Sequence, residues 1–95
     1  MNAPATEMLV EAVALTRKRI ADRSRTLSER IQTLWAAAYS ARALGSSDAV
    51  AAAFIALAEN TGLIADLGRY GAEDVAHVVR WALRGLDPFD RRAVR

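Results

Sequence analysis

Residues 15–31 read LTRKRIADRSRTLSERI, and this stretch decides whether the first half of the chain forms one helix or two. Apolar residues recur before and after it at alternating steps of four and three, which is the spacing of one helix face. The apolar spacing continues across the polar centre of this stretch with one extra four-residue step at Ser24. Such a step resembles a stutter in a heptad pattern. We therefore expect one unbroken helix over about residues 6–44, roughly 57 Å long at 1.5 Å per residue.

A second interpretation places a break near Ser24. Thr26 and Glu29 have the spacing of a capping box, which could start a new helix there. The unbroken helix is favoured because a turn would ordinarily shift the apolar phase. A compact chain of this length has a diameter of about 30 Å, so the long helix would extend beyond its own domain. The sequence thus predicts a homodimer, joined along this helix or through Trp81.

The rest of the chain carries further helix start and stop signals. Gly45 favours a helix end, and the Ser-Ser-Asp sequence at 46–48 offers the next N-cap. A short helix is expected over residues 63–68. The last helix is expected over residues 72–85, because its start is acidic and it ends in Arg84 and Gly85, the order that the helix dipole prefers.

The composition suits one small all-α domain over residues 1–95. With 53% hydrophobic and 25% charged residues, the chain is unlike a disordered tail. No run alternates with period two, as a half-buried strand would. We expect a small bundle of four to five helices, with frayed ends at residues 1–5 and 90–95. The expected core consists of the apolar residues that share the helical phase: Leu9, Val13, Ile20, Leu27, Ile31, Leu34, Val50, Phe54, Leu57, Val75, Val79 and Leu83.

Several functional classes find no support in the sequence. The chain has no cysteine and a single histidine, His77, so neither a thiolate nucleophile nor a metal site is expected, and no cofactor motif occurs. The first fifteen residues contain no Lys or Arg, unlike a signal peptide, and no uncharged apolar run reaches membrane-spanning length. We expect a cytoplasmic protein that is not an enzyme and has no membrane partner.

The basic residues of the opening stretch fall into two groups on a continuous helix. Lys18, Asp22, Arg25 and Glu29 alternate in charge at steps of four and three, as on an ordinary exposed face.

The second group is the arginine row, Arg19, Arg23 and Arg30, which has no acid among its members. Phosphate or the carboxylates of a partner helix could neutralise it, or the row could simply be solvated, which is the commonest fate of surface arginines. The middle of the chain contains Glu59, Asp66, Glu73 and Asp74, so protein carboxylates are expected rather than phosphate.

The last helix offers a second candidate surface. His77, Trp81 and Arg84 recur at steps of four and three, with Asp74 one step before them. A tryptophan beside an arginine is typical of interaction hot spots, and His77 with Asp74 could form an oriented base. The simplest interpretation is that Trp81 packs beneath the first helix and His77 is a surface residue.

These patterns favour a non-enzymatic helical module that acts through protein contacts and self-associates. The alternative is an accessory protein that binds nucleic acid through the arginine row.

Overall fold

The computed structural model describes residues 3–43, 48–68 and 71–86, and within these ranges it contains five helices and no strand. The helices are α1 (Ala3–Ile20), α2 (Leu27–Ala41), α3 (Asp48–Asn60), α4 (Leu63–Leu67) and α5 (Ala72–Leu83). The all-α class is therefore confirmed, and so are the helices expected near 63–68 and 72–85. The predicted helix end at Gly45 and the predicted fraying of residues 90–95 concern positions outside the described residues.

The prediction of one long N-terminal helix is wrong, because α1 ends at Ile20 and the chain turns over residues 21–26 before α2 begins. Asp22 accepts hydrogen bonds from both the amide, at 3.0 Å, and the hydroxyl of Ser24. Thr26 is extended, and its Oγ1 accepts a hydrogen bond from the Glu29 amide at 3.1 Å. Such local side-chain bonds compete with helical ones, so they end α1 and begin α2 without disturbing the apolar phase.

The break also removes the reason for expecting a dimer along one long helix. An 18-residue α1 is about 27 Å long. The longest dimension of the protein is 38 Å, so α1 does not extend beyond its own domain. Any self-association must be argued from the surface of the folded chain.

The core lies where α2, α3 and α5 pack together with the end of α1. Most of the expected core residues are buried: Ile20, Leu34, Val50, Phe54, Leu57, Val75, Val79 and Leu83. Leu9, Val13 and Ile31 are half-buried and pack against this core. Leu27 is 39% exposed, contrary to expectation, because it is the first residue of α2 beside the turn rather than the middle of a helix.

Candidate functional site

The three members of the arginine row have different environments in the structure. Arg30 is only 2% exposed, and its Nη1 donates to Asp66 Oδ2 at 2.9 Å. Its Nε donates to the carbonyl oxygen of Ile20, the last residue of α1, at 2.6 Å. Arg23 donates from Nε to the same Oδ2 at 3.1 Å, although its side chain is 69% exposed. The Asp66 carboxylate on α4 thus accepts hydrogen bonds from two arginines.

These contacts keep Asp66 ionised. The hydrogen bond from Arg30 is the main reason that the pKa of Asp66 lies below its ordinary value, and the charge of Arg23 lowers this pKa further, against the opposing effect of desolvation. Arg23 and Arg30 therefore meet a protein carboxylate rather than phosphate, and Arg30 lies inside the protein rather than in a row on a helix surface. Arg19 forms no ion pair within the described ranges and lies on the surface of α1.

The alternating charge ladder is also lost at the turn. Of its three expected pairs, the described residues contain only Arg25 with Asp22, at 3.8 Å. The hydrogen bonds from Ser24 are the main reason that the pKa of Asp22 is lowered, ahead of the charge of Arg25. Asp22 therefore stabilises the turn rather than a row of charges along a helix face.

The second candidate surface, on α5, contains a ring contact but no oriented base. The rings of His77 and Trp81 are 5.6 Å apart at an interplanar angle of 40°. His77 and Arg84 are exposed, whereas Trp81 is half-buried. Asp74 Oδ2 accepts a hydrogen bond from the Gly71 amide at 3.1 Å and so caps the start of α5. The Asp74 carboxylate is occupied by this cap and does not orient the imidazole.

The half-buried aromatic residues of α2 include one that contacts the segment after α5. Trp35 and Tyr39 stack with their centroids 5.0 Å apart, and Arg42 lies 4.2 Å from the centre of the Tyr39 ring. Trp35 Nε1 donates to the Leu86 carbonyl oxygen at 3.1 Å. The two ring contacts lie within α2 and its C-cap, whereas the hydrogen bond to Leu86 holds the segment after α5 against α2, which is a structural role.

An open groove of about 510 Å³ lies between α1 and α2. Its lining consists mainly of small or apolar side chains: Met8, Ala12, Leu15, Thr16 and Arg19 on α1, and Thr33, Ala36, Ala37, Ser40, Ala41 and Ala43 on and just beyond α2. Met8 is 57% exposed and Leu15 is 53% exposed, although both are large apolar residues. We call this feature the α1–α2 groove.

The polar side chains of the groove are largely satisfied by their own helices. Thr16 donates from its hydroxyl to the Ala12 carbonyl oxygen at 2.7 Å, and Thr33 donates to the Glu29 carbonyl oxygen at 2.8 Å. A ligand in the groove would therefore meet methyl groups and alanines more than free donors. Such a surface suits the apolar face of a helix rather than a sugar or a nucleotide.

The lining of the α1–α2 groove includes one residue that the sequence indicated as a candidate site, Arg19, and others that it did not indicate. Arg19 was singled out as part of the arginine row, and it lies at one end of the groove. Met8 and Leu15 were missed because the core seam through Leu9 and Val13 accounted for the apolar pattern. The available signal was a second apolar spacing on the same helix, from Met8 through Ala12 to Leu15.

Comparison with known protein families, curated proteins and solved structures finds no match to this chain. Across the described ranges, no group of three or more acidic or histidine side chains is arranged to hold a metal ion. None of the helices in those ranges combines the length and apolar character needed to cross a bilayer.

Proposed function

We propose that this protein is a non-enzymatic interaction module of the cytoplasm that binds an amphipathic helix in the α1–α2 groove and self-associates through it. The observation that carries the proposal is the exposure of Met8 and Leu15 at the edge of a groove lined by alanines. Scattered single apolar residues are common on protein surfaces, but apolar residues that line one concave site favour a binding surface.

The energetics favour an apolar partner. Covering one large apolar side chain stabilises a complex by about 1.5 to 3 kcal/mol before the entropic costs of association are subtracted. Met8 and Leu15 both contribute, and the hydroxyls of Thr16 and Thr33 lose little on desolvation because backbone carbonyls already accept their hydrogen bonds. A helix with an apolar stripe would gain this burial without leaving groove donors unpaired.

The nucleic-acid alternative receives less support from the geometry. Arg30 is enclosed by the protein and Arg23 shares its carboxylate, so Asp66 already neutralises part of the row. Of the three arginines, Arg19 alone remains without a carboxylate among the described residues. A single phosphate contact would give a weak salt dependence, with a slope of about −0.9 in log affinity against log salt.

Light scattering on a sizing column at micromolar concentration tests this proposal. We expect a mass of at least twice the 10.3 kDa of the chain. Leu15→Glu should abolish self-association, because it places a charge in the groove. Val10→Glu is the matched control, since Val10 is 63% exposed on the same helix but does not line the groove. A monomer at every concentration, or equal losses in both variants, would count against the proposal.

A further inference from the structure

We infer that the helix filling the α1–α2 groove is α1 of a second copy, antiparallel to the first, about a two-fold axis between Val13 and Ala14. This inference rests on the proposed function and specifies its partner. The two copies would then present the same surface to each other, as in an isologous dimer.

The first support is a second heptad seam on α1. Met8, Ala12, Leu15 and Arg19 follow each other at steps of four, three and four, which are the spacings of coiled-coil core positions. These residues all line the groove, whereas the buried seam through Ile20 faces the protein core. Thus one apolar seam of α1 packs against the core of its own domain. The neighbouring seam lines the groove, where the described residues leave it partly uncovered.

The second support is the match of side-chain sizes in the antiparallel register. With the axis between residues 13 and 14, Leu15 of each copy faces Ala12 of the other, so a large side chain meets a small one. Met8 of each copy faces Arg19 of the other, whose aliphatic stem can cover the thioether while its guanidinium stays in water. A parallel pair in register would instead bring the two Arg19 side chains together within the apolar seam.

The third support is charge complementarity beside the seam. Glu11 and Lys18 occupy the same flanking position of successive heptads, both are exposed, and neither forms an ion pair within the described ranges. In the antiparallel register, Thr16 is directly opposite Glu11 of the other copy, and Lys18 follows Thr16 by two residues, about 3 Å along the axis at 1.5 Å per residue, so its long side chain reaches Glu11. The two-fold axis forms this pair twice, so Glu11 and the basic last turn of α1 attract each other in this orientation.

The α2 wall of the groove permits a close approach of the incoming helix. Ala36, Ser40 and Ala43 are exposed and line the groove with short side chains. The distance between packed helix axes depends on the size of the side chains at the contact, and short ones allow the smaller separations. The second copy of α1 can therefore contact both α1 and α2.

Charge reversal across the axis tests the antiparallel register. We expect Glu11→Lys and Lys18→Glu each to weaken the homodimer roughly tenfold at low salt, because each converts two attractive pairs into two repulsive ones. The double variant should recover the original affinity. A mixture of the two single variants should form heterodimers well above the statistical half, because both cross pairs become attractive. Native mass spectrometry counts the species directly.

The matched control is Arg17→Glu, which changes the net charge as Lys18→Glu does but lies away from the groove seam. It should leave the dimer affinity nearly unchanged. A statistical mixture of homodimers and heterodimers, with the dimer intact and sensitive to Leu15→Glu, would overturn the antiparallel register while leaving the proposed function in place. A monomeric unaltered protein would overturn both.

Discussion

Arg30 and Asp66 are 36 residues apart in the chain, yet Nη1 of the arginine lies 2.9 Å from Oδ2 of the aspartate. The same guanidinium donates from Nε to the carbonyl oxygen of Ile20. One side chain of α2 therefore binds both the end of α1 and the short helix α4. The positive charge at the last carbonyl of α1 also complements the dipole of that helix.

Two substitutions separate the buried contact of Asp66 from its exposed one. Arg30→Gln should reduce the free energy of unfolding by about 2 to 3 kcal/mol, since it removes hydrogen bonds from a buried charged group. Arg23→Gln removes the same charge beside the same carboxylate, but from an exposed side chain, so it should cost less than about 1 kcal/mol. Urea denaturation measures both changes, and equal losses would contradict the distinction.

Asp66 should make stability depend on pH in the acid range. Because Arg30 and Arg23 lower the pKa of Asp66 in the folded protein, its contribution is complete above the ordinary value of 3.8 and is lost as pH falls through the lower folded pKa. We therefore expect Asp66→Asn to reduce the melting temperature at neutral pH, and the difference from the unaltered protein to shrink below about pH 4.

Thermal denaturation followed by circular dichroism from pH 7 to pH 2 measures this difference. Glu59→Gln is the control, because Glu59 is exposed and forms no ion pair within the described ranges. A difference for Asp66→Asn that stays constant down to pH 2 would show that the carboxylate charge does not stabilise the fold.

The contribution of the Thr26 cap at the start of α2 to the free energy of unfolding should be measurable separately. Thr26→Ala removes the oxygen that accepts the Glu29 amide, so it should destabilise the protein by about 1 kcal/mol. Thr26→Ser should retain most of this stability. Ser28→Ala, two residues further on in the exposed first turn, should be nearly neutral. If Thr26→Ala were as neutral as Ser28→Ala in chemical denaturation, the cap would contribute nothing to stability.

Two glycines test how closely Arg23 lies against α4. Gly62 has φ +79° and ψ +4°, in the left-handed region, so alanine there should cost about 1 to 2 kcal/mol through backbone strain. Gly68 has φ +64° and ψ −107°, outside the regions that L residues adopt, so alanine there should cost more. A Cβ at Gly62 would also lie 3.0 Å from Arg23 Nη2, whereas one at Gly68 would meet nothing within 4 Å. In a double-mutant cycle with Arg23→Gln, Gly62→Ala should be non-additive and Gly68→Ala additive.

Much of the fold was predictable because its signals are local. The glycine turns and the acidic start of α5 indicated the later helices, and the shared apolar phase indicated Phe54 and Val79 as core. The break after Ile20 was not favoured, because the phase continued and the cap at Thr26 was the weaker of two conflicting signals. Whether local hydrogen bonds or helix continuation prevails depends on the packing of the whole domain, which periodicity does not contain.

The site was less predictable for a related reason. That Arg30 would be enclosed with Asp66 depends on α4 packing beside the turn, a contact between distant parts of the chain. Met8 and Leu15 became visible only after Leu9 and Val13 had been placed toward the core. A helix with two neighbouring apolar rows does not reveal from its sequence which row the domain covers.

The turn at residues 21–26 also has a consequence for folding kinetics. It lets α1 and α2 meet through a short loop, and contacts between residues near in sequence form fastest because closing a short loop costs little entropy. Arg30 reaches Ile20 across only 10 residues, whereas Trp35 reaches Leu86 across 51. We therefore expect the α1–α2 hairpin to assemble first and the docking of α5 on α2 to complete folding.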